Sequence, residues 1–226
     1  MQHKTVLAQG GTVHYWIARN ENASDCIVFT HGLTADHTMF EMQVPCFSDY
    51  YTVILWDVPM HGLSRPYHPF TYQDTAEILH SILQKENIDK TFLVGMSMGG
   101  YPSQHFAAMY PEMVKGFVAL DTTPLGFRYY SKSDLWWLKR VALMAECFTA
   151  SLLKTSMALS VSESDYSYQK MLSMLEPLTK VEIIQQMQIA YDYFIAENRD
   201  VDFSFPVLIL AGEKDSTGKV KAYCKE

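Results

Sequence analysis

Short apolar runs separated by helix-length amphipathic segments constrain this chain more than any other feature. Residues 26–30 (CIVFT), 51–56 (YTVILW), 91–95 (TFLVG) and 114–120 (VKGFVAL) are rich in β-branched and aromatic side chains, and each ends in polar or turn residues. Runs this short and continuous suit strands buried on both faces. Between them, 71–86 opens with Thr71 and Asp74 in capping positions and repeats apolar residues at Ala76, Ile78, Leu79, Ile82 and Leu83. That spacing predicts a crossover helix. A second helix is expected over 97–109, and an alternating strand over 12–18 (TVHYWIA) after the Gly10-Gly11 turn. The strand–helix rhythm predicts an α/β fold with a mostly parallel sheet covered by helices on both faces.

The rhythm stops at about Thr122 and resumes at 205–210 (FPVLIL), a further buried-strand pattern that leads through a turn at 211–216 into a helix still running at Glu226. The expected organisation is a core of residues 1–121 and 203–226 with a helical insertion at 122–202. Within that insertion, 135–159 is apolar but interrupted by Lys139, Arg140, Glu146 and Lys154, which predicts a buried amphipathic helix rather than a membrane span. The amino-terminal residues lack the basic-then-apolar pattern of a secretory signal, so the expected location is cytoplasmic.

With 226 residues, 48% of them hydrophobic, the chain can bury one substantial core. Its net charge of -7, with no basic run, argues against a nucleic-acid partner. Cys26, Cys46, Cys147 and Cys224 stand far apart and form no C-x-x-C pair. They read as idle thiols, and no metal or organic cofactor is implied.

The chemistry-bearing signal is Gly95-Met96-Ser97-Met98-Gly99, followed by Gly100, at the junction of a predicted strand and helix. A serine in so tight a turn presents its hydroxyl above the sheet, and the flanking glycines let neighbouring backbone approach. With this context the sequence resembles the α/β-hydrolase family, in the serine-nucleophile branch of small esterases and thioesterases, over about 12–121 and 203–216. Phe29-Thr30-His31-Gly32-Leu33 resembles the family's His-Gly turn. The resemblance makes the N–H groups of Leu33 and Met98 the oxyanion hole, with His31 and Gly32 as structural residues beside Gly95 and Gly99. The stretch 57–64 (DVPMHGLS) resembles a structural loop of the family, with Met60 where glycine is usual. Gly212-Glu213-Lys214-Asp215 resembles the turn that carries the catalytic acid, which makes Asp215 the first candidate and Asp121, after the preceding strand, the backup.

A serine nucleophile also needs a positioned imidazole, which the family places after the acid. All eight histidines here, His3, His14, His31, His37, His61, His68, His80 and His105, precede it. The expectation is therefore a chain truncated before the last strand, the histidine loop and the final helix, with activity reduced by several orders of magnitude. The insertion resembles the family's helical lid, and Tyr129, Tyr130, Trp136, Trp137 and Phe148 are candidates to line an apolar acyl pocket. The expected activity is serine hydrolysis of a small-molecule ester or thioester with an apolar part. A C–C hydrolase or elimination lyase, and a non-catalytic ligand-binding protein, are the alternatives.

Overall fold

The computed structural model describes residues 1–215 and 219–224. Seven strands form one sheet: β1 (Gln2–Ala8), β2 (Gly11–Ala18), β3 (Cys26–Thr30), β4 (Thr52–Trp56), β5 (Thr91–Met96), β6 (Val114–Leu120) and β7 (Val207–Leu210). Their order is β1-β2-β4-β3-β5-β6-β7. β1 and β2 are an antiparallel pair, β2 runs antiparallel to β4, and β4, β3, β5, β6 and β7 are parallel. β3 and β4 are buried along their whole length, as their unbroken apolar runs require.

The helices are α1 (Gln43–Ser48), α2 (Tyr72–Lys85), α3 (Gly100–Met109), α4 (Lys132–Ala145), α5 (Ala150–Ser160), α6 (Asp165–Leu175), α7 (Lys180–Ala196) and α8 (Val220–Tyr223). Alternate residues of the strands feed opposite faces of the sheet. Val28, Ile54, Leu93 and Phe117 pack with Ala76, Leu79 and Phe106 of α2 and α3. Ile27, Phe29, Val53, Leu55 and Val94 pack with Phe40 and with Val44 and Phe47 of α1. Four helices, α4 to α7, fall between β6 and β7 and build a further apolar cluster around Leu153, Met171, Leu175, Ile183 and Met187.

Local signals set the helix starts. The Thr71 hydroxyl accepts from the Asp74 N–H at 2.9 Å and opens α2. Ser131 with Asp134, Ser164 with Ser167 and Thr179 with Glu182 form reciprocal caps at α4, α6 and α7.

Two expectations need correction. The stretch 135–159 is two helices, because Thr149 caps a new start by accepting from the Leu152 N–H, and much of its apolar surface is exposed rather than buried. β7, read as a buried strand, is 38–53% exposed at all four residues, because it is an edge strand paired only with β6 among the described residues. β1 was not evident from the sequence. The helix expected to run to the end of the chain is α8, and residues 225–226 lie outside the described residues. Among those described, no helix is long and apolar enough to cross a membrane.

Candidate active site

β5 hands directly to a tight turn, Ser97–Gly99, and then to α3. Ser97 takes φ +51°, a left-handed conformation that costs a non-glycine residue about 1–3 kcal/mol. The surroundings hold it there. The Thr122 hydroxyl donates to the Ser97 carbonyl at 2.6 Å, and the Ser103 hydroxyl donates to the Gly99 carbonyl at 2.9 Å. A Cβ on Gly95 would stand 2.6 Å from the Gly99 carbonyl oxygen, and one on Gly99 would collide with the carbonyls of Thr30 and His31. The two glycines are therefore required for β5, the elbow and the end of β3 to meet.

The end of β3 carries the 31–33 turn alongside the serine. A Cβ on Gly32 would lie 3.5 Å from the Ser97 Cβ. His31 is fully buried and braces this turn: its Nε2 accepts from the Val58 N–H at 3.0 Å, which leaves Nδ1 to donate to the Gly32 carbonyl at 2.8 Å. Burial lowers the His31 pKa, in keeping with this neutral tautomer. Leu33 follows in the turn. Met98 follows Ser97 at the start of the helical segment, where the first N–H groups have no acceptor within the helix.

Met60 occupies φ +70°, so methionine takes a left-handed conformation at the position where the resembling family has glycine. His61 beside it donates through Nδ1 to the Pro59 carbonyl at 3.1 Å, and burial pulls its pKa down to about 3.

Both candidate acids line the cleft that Ser97 lines. Asp121 stands immediately after β6 at φ +42°. Its N–H donates to the Leu210 carbonyl at 2.8 Å, and its Oδ1 accepts from the Gly212 N–H at 2.7 Å. The turn is closed by the Asp215 N–H on the Gly212 carbonyl at 3.1 Å. Ser97, Asp121 and Asp215 line one cleft of about 530 Å³ with Met96, Gly212, Glu213, Lys214 and residues 159–163. It opens beyond the carboxyl ends of β5, β6 and β7, where ligands bind in open parallel sheets.

Residues 159–163, the end of α5 and the turn that follows it, belong to the site without any sign in the sequence. They bring Leu159, Val161 and Ser162 to the cleft, and Glu163 pairs with Lys214 at 2.9 Å across the rim. No sequence signal links positions so far apart. Conversely, Tyr129, Tyr130, Trp136, Trp137 and Phe148, read as candidates for an acyl pocket, are absent from the cleft lining. Tyr130 is buried and donates to the Pro124 carbonyl at 2.6 Å, whereas both tryptophans face outwards.

No histidine lines the cleft among the described residues. His105 is buried inside α3 and stacked on Tyr72, and His80 stacks on Tyr110. His37 instead meets Asp57, donating to Oδ1 through both its backbone N–H at 2.7 Å and its Nδ1 at 2.8 Å. Burial alone would raise the Asp57 pKa, but the hydrogen bonds from His37 and the nearby His31 and His37 lower it. Asp36, His37 and Asp57 hold donor atoms within 4.8 Å of one another, a spacing a cation could use. The Asp57 oxygens are already engaged there, Oδ2 by the Leu63 N–H at 2.7 Å.

Residues 25–224 match the model of the alpha/beta hydrolase fold family. The chain is 38% identical over 92 residues to 3-oxoadipate enol-lactonase 1 of Acinetobacter baylyi, a stretch that covers 41% of this chain and 34% of that protein. It is 33% identical over 107 residues to 2-(acetamidomethylene)succinate hydrolase of Mesorhizobium japonicum, covering 47% and 38%. The chain thus matches well under half the length of these curated relatives. A hydrolase from Pseudomonas aeruginosa superposes with a TM-score of 0.77 at 14% identity, covering 99% of this chain and 84% of that one, a likeness of fold. The sheet order, the serine elbow and the family match together establish that this chain belongs to the alpha/beta hydrolase fold family.

Proposed function

We propose that this chain carries the nucleophile, the oxyanion turn and the acid of a serine hydrolase that cleaves carboxylic esters or thioesters through an acyl-enzyme. The observation that carries the reading is the Ser97 elbow, set against the Gly32 turn and sharing one cleft with two carboxylates. Ser97 Oγ attacks the substrate carbonyl, and the Leu33 and Met98 N–H groups stabilise the oxygen as it gains charge. The carbon–oxygen or carbon–sulfur bond then breaks, the alcohol or thiol leaves with a proton, and water releases the acid from Ser97. Asp215 is the acid for an imidazole base that this chain does not itself place in the cleft, with Asp121 as the backup acid and as the acceptor that fixes the Gly212 turn. Met96, Leu159 and Val161 offer an apolar wall to the acyl part, and the 122–202 segment acts as the cap over the cleft.

Among the described residues no histidine lines the Ser97 cleft, so the chain alone is expected to turn over slowly. A fluorophosphonate probe, with and without added imidazole as an external base, tests the proposal on this chain. Labelling at Ser97 should accelerate with imidazole and vanish in Ser97→Ala. No labelling even with imidazole would count against catalysis and favour a ligand-binding role. Labelling without any ester turnover or trapped acyl-enzyme would point to the C–C hydrolase or lyase alternative.

A further inference from the structure

α4 carries apolar side chains on both sides. Leu135 and Leu138 pack on the main core, and Val141, Ala142 and Ala145 on the second cluster. Trp136, Trp137, Leu143 and Met144 are nevertheless 49, 55, 60 and 53% exposed. At 3.6 residues per turn, positions 136, 140, 143 and 144 share the outward face, with 137 at its border. Phe148, in the turn that follows, is 38% exposed.

The same face is cationic. The Arg140 guanidinium lies 3.9 Å over the Trp136 ring, and exposed Lys132 and Lys139 run along one margin. Of the acidic groups on this helix, Asp134 is bonded to Lys219 at 2.6 Å. Glu146 stands at the carboxyl end. Exposed apolar groups contiguous along a helix mark an interaction surface. The combination here is narrower than that. Indoles, with an apolar body and a polar N–H, favour the boundary between water and hydrocarbon, and cations at the same level favour anionic headgroups.

We propose that the outward face of α4 docks on the headgroup layer of an anionic lipid surface, with Trp136 and Trp137 inserted and Lys132, Lys139 and Arg140 against the phosphates. The chain carries a net charge of -7. Such a surface therefore repels the molecule elsewhere and selects this face. The contact needs no spanning helix, and it does not depend on the activity of Ser97.

Co-sedimentation with vesicles tests it, using phosphatidylcholine alone or mixed in equal parts with phosphatidylglycerol, at low and high salt. Binding is expected to the mixed vesicles at low salt, with a blue shift of tryptophan emission. Trp136→Ser with Trp137→Ser, and Lys139→Gln with Arg140→Gln, should each weaken it by more than about ten-fold, given roughly a five-fold effect per surface cation. Far-UV circular dichroism checks that both double variants fold. The proposal is overturned by absence of binding to the mixed vesicles at low salt, or by binding that neither double variant weakens. It is also overturned by a self-associated dimer in size-exclusion chromatography that the tryptophan variant dissolves, which would make a second copy the occupant.

Discussion

Ser97 is held in its left-handed conformation by neighbours that leave no room for a side chain. A Cβ on Gly99 meets two backbone carbonyls, which cannot move aside as a flexible side chain would. Gly99→Ala is accordingly expected to destabilise the protein by about 3 kcal/mol, measured by urea denaturation, and to reduce probe labelling of Ser97. The elbow was legible in the sequence because both glycines and the serine lie within five residues. The His37–Asp57 pair was not, since its partners stand twenty residues apart and only the packing of two loops joins them.

The buried histidines have a measurable consequence. Burial holds His105 neutral and lowers its pKa to about 4, against about 6.5 in the unfolded chain. Between those values the unfolded state binds the extra proton, so stability falls as pH drops through this window and levels off below it. At pH 5 the loss from this one group is about 2 kcal/mol. His105 Nε2 has no hydrogen-bond partner among the described residues, so phenylalanine can take its place against Tyr72 without breaking a bond there. His105→Phe should lose about 2 kcal/mol less stability than the parent between pH 7.5 and pH 5, read from urea midpoints at both values.

At the scale of elements, caps and periodicity made α2 readable, whereas β1 depends on partners that local pattern does not announce. Its sequence, QHKTVLA, is mostly polar. The strand is tied down by pairing with β2 and by Glu86 at the end of α2. The buried Glu86 carboxylate accepts from Lys4 at 2.9 Å, Tyr15 at 2.5 Å and Arg19 at 2.7 Å. Burial opposes its charge, but these hydrogen bonds more than offset that, and its pKa is lowered. Glu86→Ala leaves the buried Tyr15 hydroxyl unsatisfied, while Lys4 and Arg19 can turn to water. The expected cost is about 2–3 kcal/mol in denaturant melts, with amide exchange in β1 accelerating first.

At the scale of the whole molecule, the sheet ends at β7 on an exposed apolar edge among the described residues. Val207, Leu208, Ile209 and Leu210 are 38, 53, 49 and 48% exposed, and an open strand edge recruits other strands. Leu208→Lys is expected to change stability by less than about 0.5 kcal/mol while reducing self-association, measured by denaturation and size-exclusion chromatography. Residues close in sequence settled much of this protein's plan: the buried parallel strands, the capped crossover helix and the serine bracketed by glycines all arise from steric and hydrophobic periods a few residues long. Tertiary packing alone brought Asp121, Ser162 and Asp215 to one cleft with Ser97 and turned Trp136 and Trp137 outwards. Strand order and helix rotation set those positions, and both depend on which distant apolar faces bury one another, a choice no local pattern contains.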